Sequence, residues 1–262
     1  MDSLILKLVL TPALIGIASL AGRRWGPAVS GWLVGLPLTS GPIAFFLALS
    51  SGRAFATAAA TGILTGTLSQ AAFSLAYAWP ARRLGWPRSL AAGCLAFGAV
   101  TFALEYLLLP IGYLFVIAVA TLVLTLRLLP ARAKGRALFA VTPPRWDLPA
   151  RMVVATGFVV LLTASASALG PHLTGLLSPF PIYASILTIF AHHEQGSGAA
   201  TNVLRGLLLG LFAFASFFLV LGTLLEPLGI APAFALAVVA ALLVQGASLW
   251  VLRRGQQHLM PT

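Results

Sequence analysis

Long apolar runs separated by short polar, glycine- or proline-bearing intervals set the pattern of this chain. The runs fall at 3–21, 28–50, 55–79, 89–108, 111–129, 151–169, 173–193, 199–223 and 231–252. A membrane-crossing helix needs roughly 20 apolar residues, so these lengths predict an all-α, polytopic membrane protein of nine transmembrane helices.

Composition agrees with that reading. The 262 residues are 60% hydrophobic and 8% charged, with a mean hydropathy of +1.00, far from the roughly 25% charged residues of soluble domains. Cys94 is the single cysteine, which excludes a disulfide framework and thiol metal motifs. The net charge of +11 has its cause in membrane topology rather than in nucleic acid, because Lys and Arg collect in cytoplasmic loops. One alternating set of loops holds Arg23, Arg24, Arg82, Arg83, Arg88, the stretch from Arg127 to Arg151, Arg253 and Arg254; the other holds little beyond Lys7 and Arg53. This asymmetry places the N-terminus outside and the C-terminus inside. The first run has no basic residues before it and no small-residue cleavage site after it, so it reads as an uncleaved anchor. An Ala-, Leu- and Arg-rich chain with few lysines points to a GC-rich bacterial genome.

Sliding the sequence by 144 positions superposes GPAVSGWLVGLPLTSGPIAFF, from Gly26, on GPHLTGLLSPFPIYASILTIF, from Gly170, without a gap. Identities include Gly31/Gly175, Pro37/Pro181, Phe46/Phe190, Gly52/Gly196, Gly62/Gly206, Gly66/Gly210 and Phe73/Phe217. Roughly 15 identities in about 50 positions, many of them Gly or Pro, mark an internal duplication. Runs one to four match runs six to nine and run five is left over, so equivalent helices cross in opposite directions. Residues 1–109 form a first four-helix repeat, 110–150 a linker helix with a basic loop, and 151–262 a second repeat of inverted topology. Such repeats are a common plan of secondary transporters, with the substrate site near the midplane; duplication that merely made a stable scaffold is the alternative.

Within the second run, Pro37 and Pro42 frame Thr39, Ser40 and Gly41 halfway along the crossing. Proline removes an amide donor and frees carbonyls that then need a partner or a cavity. The counterpart in run seven carries Pro179 and Pro181, followed by Tyr183 and Ser185. These helix breaks make Thr39, Ser40, Tyr183 and Ser185 candidate substrate-binding residues, with kinks used only for curved packing as the competing account. Gly62-x-x-x-Gly66 and Gly206-x-x-x-Gly210 are expected to build close helix contacts, and Thr57, Thr61 and Thr65 to bond back to their own helix.

Run seven ends in FAHHEQGSG. His192 and His193, adjacent on a helix, point about 100° apart and make a poor metal pair, so neither metal nor cofactor is expected. Ser197 is a candidate cap for the eighth helix, and Arg205 lies about two turns in, where a charge near the membrane requires a partner. Glu194 and His192 are the expected partners, with Arg205 a substrate-binding candidate and His192, Glu194 and Glu105 candidates for gating or proton coupling. An ion pair that only orients a loop is the alternative. The first repeat has Ser50, Ala48 and Thr61 at the equivalent positions, all uncharged.

The string GLLSPFP, followed by a long apolar run, FAH and a glycine turn, from Gly175 to Gly196, resembles the small four-helix GlpM-type membrane proteins. The likeness covers runs six to nine and, through the duplication, a diverged copy in runs one to four, which has Leu36 for Phe180 and Ala48 for His192. It implies inner-membrane location and a loose association with glycerol metabolism and polysaccharide production. Four-helix units fused through a spare helix are also similar in plan to drug/metabolite transporters, although no specific motif of that superfamily is present. The expected function is secondary transport or export of a small, anionic solute, coupled to protons through Glu105, Glu194 or a histidine. A non-transporting component of a polysaccharide or lipid assembly system is the second reading. An enzyme would need a nucleophile, acid or metal constellation that these residues do not offer. The expected partners are the solute, the lipid bilayer and coupling protons, with a homo-oligomer left open and nucleic acid excluded.

Overall fold

The computed structural model describes residues 37–131 and 147–257, with Leu8, Val9, Pro12, Ala13 and Gly16 before them; for Asp147, Leu148, Ala150, Arg151, Tyr183 and residues 248–257 it describes the backbone alone. The first predicted crossing apart from those five positions, residues 28–36 of the second, Lys7, Arg23, Arg24, most of the basic loop (132–146) and His258 lie outside the described residues. All regular structure among the described residues is helical: α1 (Ser40–Ser50), α2 (Arg53–Ala78), a 3-10 turn at Pro80–Arg82, α3 (Trp86–Leu104), α4 (Ile111–Leu128), α5 (Asp147–Ala164), α6 (Ala166–Leu177), α7 (Ile182–Gln195), α8 (Ser197–Leu228) and α9 (Ile230–Gln257).

Four of these are long and apolar enough to cross a membrane: α3, α4, α8 and Ile230–Ala247 of α9. Their outer faces carry large apolar side chains with nothing over them, including Leu95, Phe102, Val116 and Leu243, each more than 60% exposed. Contiguous apolar surface of this extent marks a membrane-embedded protein. The 26-residue α2 has the length but not the hydropathy. Its sequence is rich in Ala, Gly, Thr and Ser because it is the hub of the bundle, packed by α1, α3, α4, α6 and α8. Small side chains suit a helix surrounded by other helices, where close backbone approach rather than contact with lipid holds the packing.

Proline and glycine divide the chain more finely than the apolar runs predict. The crossing expected at 173–193 is two short helices, α6 and α7, separated by Ser178–Pro181, where Pro179 and Pro181 lack the amides that would carry a helix onward. The crossing expected at 151–169 likewise ends at Ala164, and α6 is itself interrupted at Gly170, whose φ of 75° precedes Pro171. In the other copy α1 begins only at Ser40, after a non-helical Pro37–Thr39. At 11 residues, α1 is about 16 Å long, roughly half a hydrocarbon core.

The helix starts keep the interval of the sequence match. α2 and α8 begin at Arg53 and Ser197, and α3 and α9 at Trp86 and Ile230. The residues before α2 and α8 are Gly52 and Gly196, with φ of 91° and 85°, a region that disfavours a side chain. Gly196 therefore precedes α8, and Ser197 is its first helical residue rather than its cap.

α2 and α8 pack antiparallel. At the start of α2, Arg53 Nη1 donates to the Glu226 carbonyl near the end of α8 (3.2 Å), and Ala60 faces Gly222. α4 lies against both, with Ile111 set on Gly222. On its opposite side α2 meets α6 through glycine on glycine. A Cβ on Gly62 would strike the His172 carbonyl, and one on Gly175 the Ala59 carbonyl.

Candidate functional site

α1 and α7 begin in the same place. The first turns of α1 and α7 border a cavity of about 40 Å³ whose lining includes Thr39, Ser40, Gln70, Pro181, Ile182 and Phe214, and Pro179 and Phe180 of the second break complete one side. Ser40 Oγ ties the two breaks together by donating to the Ser178 carbonyl (3.0 Å). First-turn amides have no partner within their own helix, and each helix start carries a partial positive charge. Two such starts therefore face one small, buried space.

Gln70, on α2, is 5% exposed and its Oε1 has no hydrogen-bond partner. Its equivalent across the sequence match, Phe214 on α8, lines the same cavity, as do the equivalent residues Ser40 and Ala184. The cavity is thus lined from both of the stretches that the sequence match relates. Ser178 and Ser185 are also buried, with hydroxyl oxygens that have no partner. A buried polar group without a partner costs about 1–3 kcal/mol; of these three side chains Gln70 lines the cavity, while Ser178 and Ser185 stand beside the second break.

A second, larger cavity of about 380 Å³ lies on the other side of α1 and is almost entirely apolar. Pro37, Pro42, Phe45, Phe217, Phe234 and Ala241 are among its walls. On the opposite side of the bundle the corresponding place is filled by an edge-to-face pair, Phe97 and Phe180, at 5.1 Å. Ala241 is the sequence equivalent of Phe97, which accounts for open space on one side only. This cavity has no polar chemistry beyond packing.

Of the residues singled out in the sequence, Thr39, Ser40, Pro179 and Pro181 meet at the small cavity, while Pro37 and Pro42 turn to the apolar one. The Tyr183 backbone stands in the first turn of α7. Ser185 is 7% exposed in the same turn, its amide bonded to the Pro181 carbonyl at 2.7 Å. Arg205 does not line the cavity, and two of its hydrogen bonds reach the end of α4. Nη1 donates to the Leu126 carbonyl (3.2 Å) and Nη2 to the Pro130 carbonyl (3.0 Å) at the end of α4. Carbonyls at a helix C-terminus lack intrahelical donors and carry partial negative charge, which is what a guanidinium fork matches.

The histidines separate in the same way. His192 Nδ1 lies 3.2 Å from the buried Tyr77 hydroxyl, joining the ends of α7 and α2. His193 lies 3.5 Å from Glu194, both well exposed. Glu105 faces His172 Nδ1 at 3.7 Å, between the end of α3 and α6. Among the described residues no three metal-ligating side chains cluster. The threonine ladder bonds to itself, with Thr61 Oγ1 donating to the Thr57 carbonyl and Thr65 Oγ1 to that of Thr61.

Sequence reasoning passed over Gln70, Tyr77 and His172 as site residues. For Gln70 a signal was present: a lone carboxamide in an apolar run whose counterpart in the other copy is phenylalanine. No family model, curated protein or solved structure matches the chain.

Proposed function

We propose that the chain is a secondary transporter or exporter of a small, anionic solute, working by alternating access between two inverted four-helix repeats. One observation carries this reading: α2 and α8, related by the sequence match, pack antiparallel, and the broken helix ahead of each starts at one shared polar cavity. Gln70 and Phe214 stand equally far from the starts of their helices and line that cavity together. For helices entering from opposite faces, this puts the cavity near mid-depth, where transporters of this plan hold substrate.

On this reading the chain makes nine crossings of a bacterial inner membrane, N-terminus outside and C-terminus inside. Arg82, Arg83, Arg127 and Arg205 gather where α2 and α4 end and α8 begins, while Arg53 and Glu226 lie at the other end of the bundle. That separation supports a cytoplasmic and an outer face. Contacts between the copies sit toward both ends, Tyr77 with His192 on the basic side and Glu105 with His172 on the other. Both are suited to gating, and the second to carrying a proton. Kinship with GlpM-type proteins rests on the Gly175–Gly196 string.

The test is uptake by the full-length protein in proteoliposomes across a panel of small anions, with an imposed pH gradient. Solute accumulation driven by the gradient in the wild type, and lost in Glu105→Gln while exchange of solute for solute persists, is the expected result. A folded protein without flux across the panel would favour the non-transporting assembly component.

A further inference from the structure

We infer that the cavity between the starts of α1 and α7 is a dehydrated binding site for a single monatomic anion, of the halide class, an inference that deepens the transport reading and rests on it only for the role of the site. Three observations converge. Two helix starts, at Ser40 and Ile182, face the same space, and each contributes partial positive charge; with the Gly41 and Ile182 amides already donating to the Pro37 and Phe180 carbonyls, it is this charge that the starts offer. Gln70, 95% removed from solvent, lines that space with a carboxamide whose oxygen has no donor. No carboxylate is among the lining residues, so no negative charge there opposes an anion.

Size decides the class. A volume of about 40 Å³ accepts one ion or a very few waters, since a cavity needs roughly 10–15 Å³ by this measure to hold a single water. A carboxylic metabolite or a phosphate ester does not fit without opening the bundle. The Gln70 amide is not held by a partner on its oxygen, so it is free to turn its N–H groups toward an acceptor. The Thr39 hydroxyl, on the same wall, is a further donor. With no lysine or arginine in the lining, the Gln70 amide, a hydroxyl and helix starts supply all the compensation, which suits a singly charged ion better than a doubly charged one.

The deciding experiment is thermal unfolding of purified full-length protein in sodium fluoride, chloride or bromide, against sodium gluconate at matched ionic strength. The result expected is a saturable rise in Tm with at least one halide and none with gluconate, with apparent halide affinity falling about tenfold or more in Gln70→Leu, as for loss of one hydrogen bond to a charged group. Thr39→Val serves as a second variant, expected to weaken halide binding in the same direction should Gln70→Leu not fold. Absence of any saturable halide effect in the wild type, meaning a site that holds water only, overturns the inference. So does a halide effect left intact by both variants, which would place the ion elsewhere. Proteoliposome flux is scored separately. Halide binding without flux removes the transport reading and leaves the site standing, whereas flux of a larger solute without halide binding does the reverse.

Discussion

At the scale of single residues, Arg205 and Arg53 make a useful contrast. Both donate to backbone carbonyls, but Arg205 is half-buried and forks onto two carbonyls at the end of α4, whereas Arg53 is exposed with a single bond. Arg205→Ala is expected to lower unfolding stability in detergent by about 2 kcal/mol, the range for hydrogen bonds to a charged group. Arg53→Ala should stay within about 0.5 kcal/mol. Arg205→Lys should recover only part of the loss, because an ammonium cannot reproduce the fork. An equal effect of the two alanine variants would refute the clasp. The sequence shows that Arg205 needs a partner but not which one. The two acceptors at the end of α4 are main-chain carbonyls, present in every residue and therefore invisible in side-chain patterns. Ser197 is a related case: its side chain suits a cap, yet Gly196, with its positive φ, is the residue that precedes the helix.

At the scale of elements, the break between α6 and α7 was legible because proline acts locally, through its missing amide and its ring, whereas Pro42, also expected to break a helix, lies in the first turn of α1, where a missing amide is tolerated. Pro179 and Pro181 separate α6 from α7 as their spacing implies. The length of each piece was not legible, since hydropathy continues smoothly across Ser165 and Gly170 while the backbone does not. The glycine spacing in α2 proved equally readable, and it carries a sharp prediction. Gly62 rests on the α6 backbone, whereas Gly98 on α3 faces open space. Gly62→Ala should force α2 and α6 apart and cost about 1–3 kcal/mol, as overpacking does, while Gly98→Ala should be neutral or slightly stabilising. Unfolding of the two variants side by side checks this, and matched stabilities would mean that α2 and α6 do not approach as described.

At the scale of the whole molecule, the starts of α2 and α8 and of α3 and α9 keep the interval of the sequence match, as do the glycines ahead of α2 and α8, whereas α7 starts at Ile182 rather than at Ala184, the match of Ser40. The departures from symmetry were written in the sequence as well, in pairs such as Gln70/Phe214 and Phe97/Ala241, but their meaning depends on which helix faces which. The proposed inversion makes a prediction at this scale. In a Cys94→Ala background, single cysteines replacing Thr39 and Ser185 should react with a membrane-impermeant thiol reagent from one face at a time. The reactive face should change when solute is supplied on the opposite side. Labelling of neither position under any condition would argue for a static, sealed bundle.

The central place of α2 has a consequence for how the protein is made. The insertion machinery weighs each emerging segment against lipid, and α2 is the long helix whose own composition makes the weakest case for entering the bilayer. It becomes comfortable there only once neighbours surround it. On the proposed topology its place in the bilayer is therefore set by the segments that follow it, because α3, α4, α6 and α8, all translated later, supply the packing that its own composition does not.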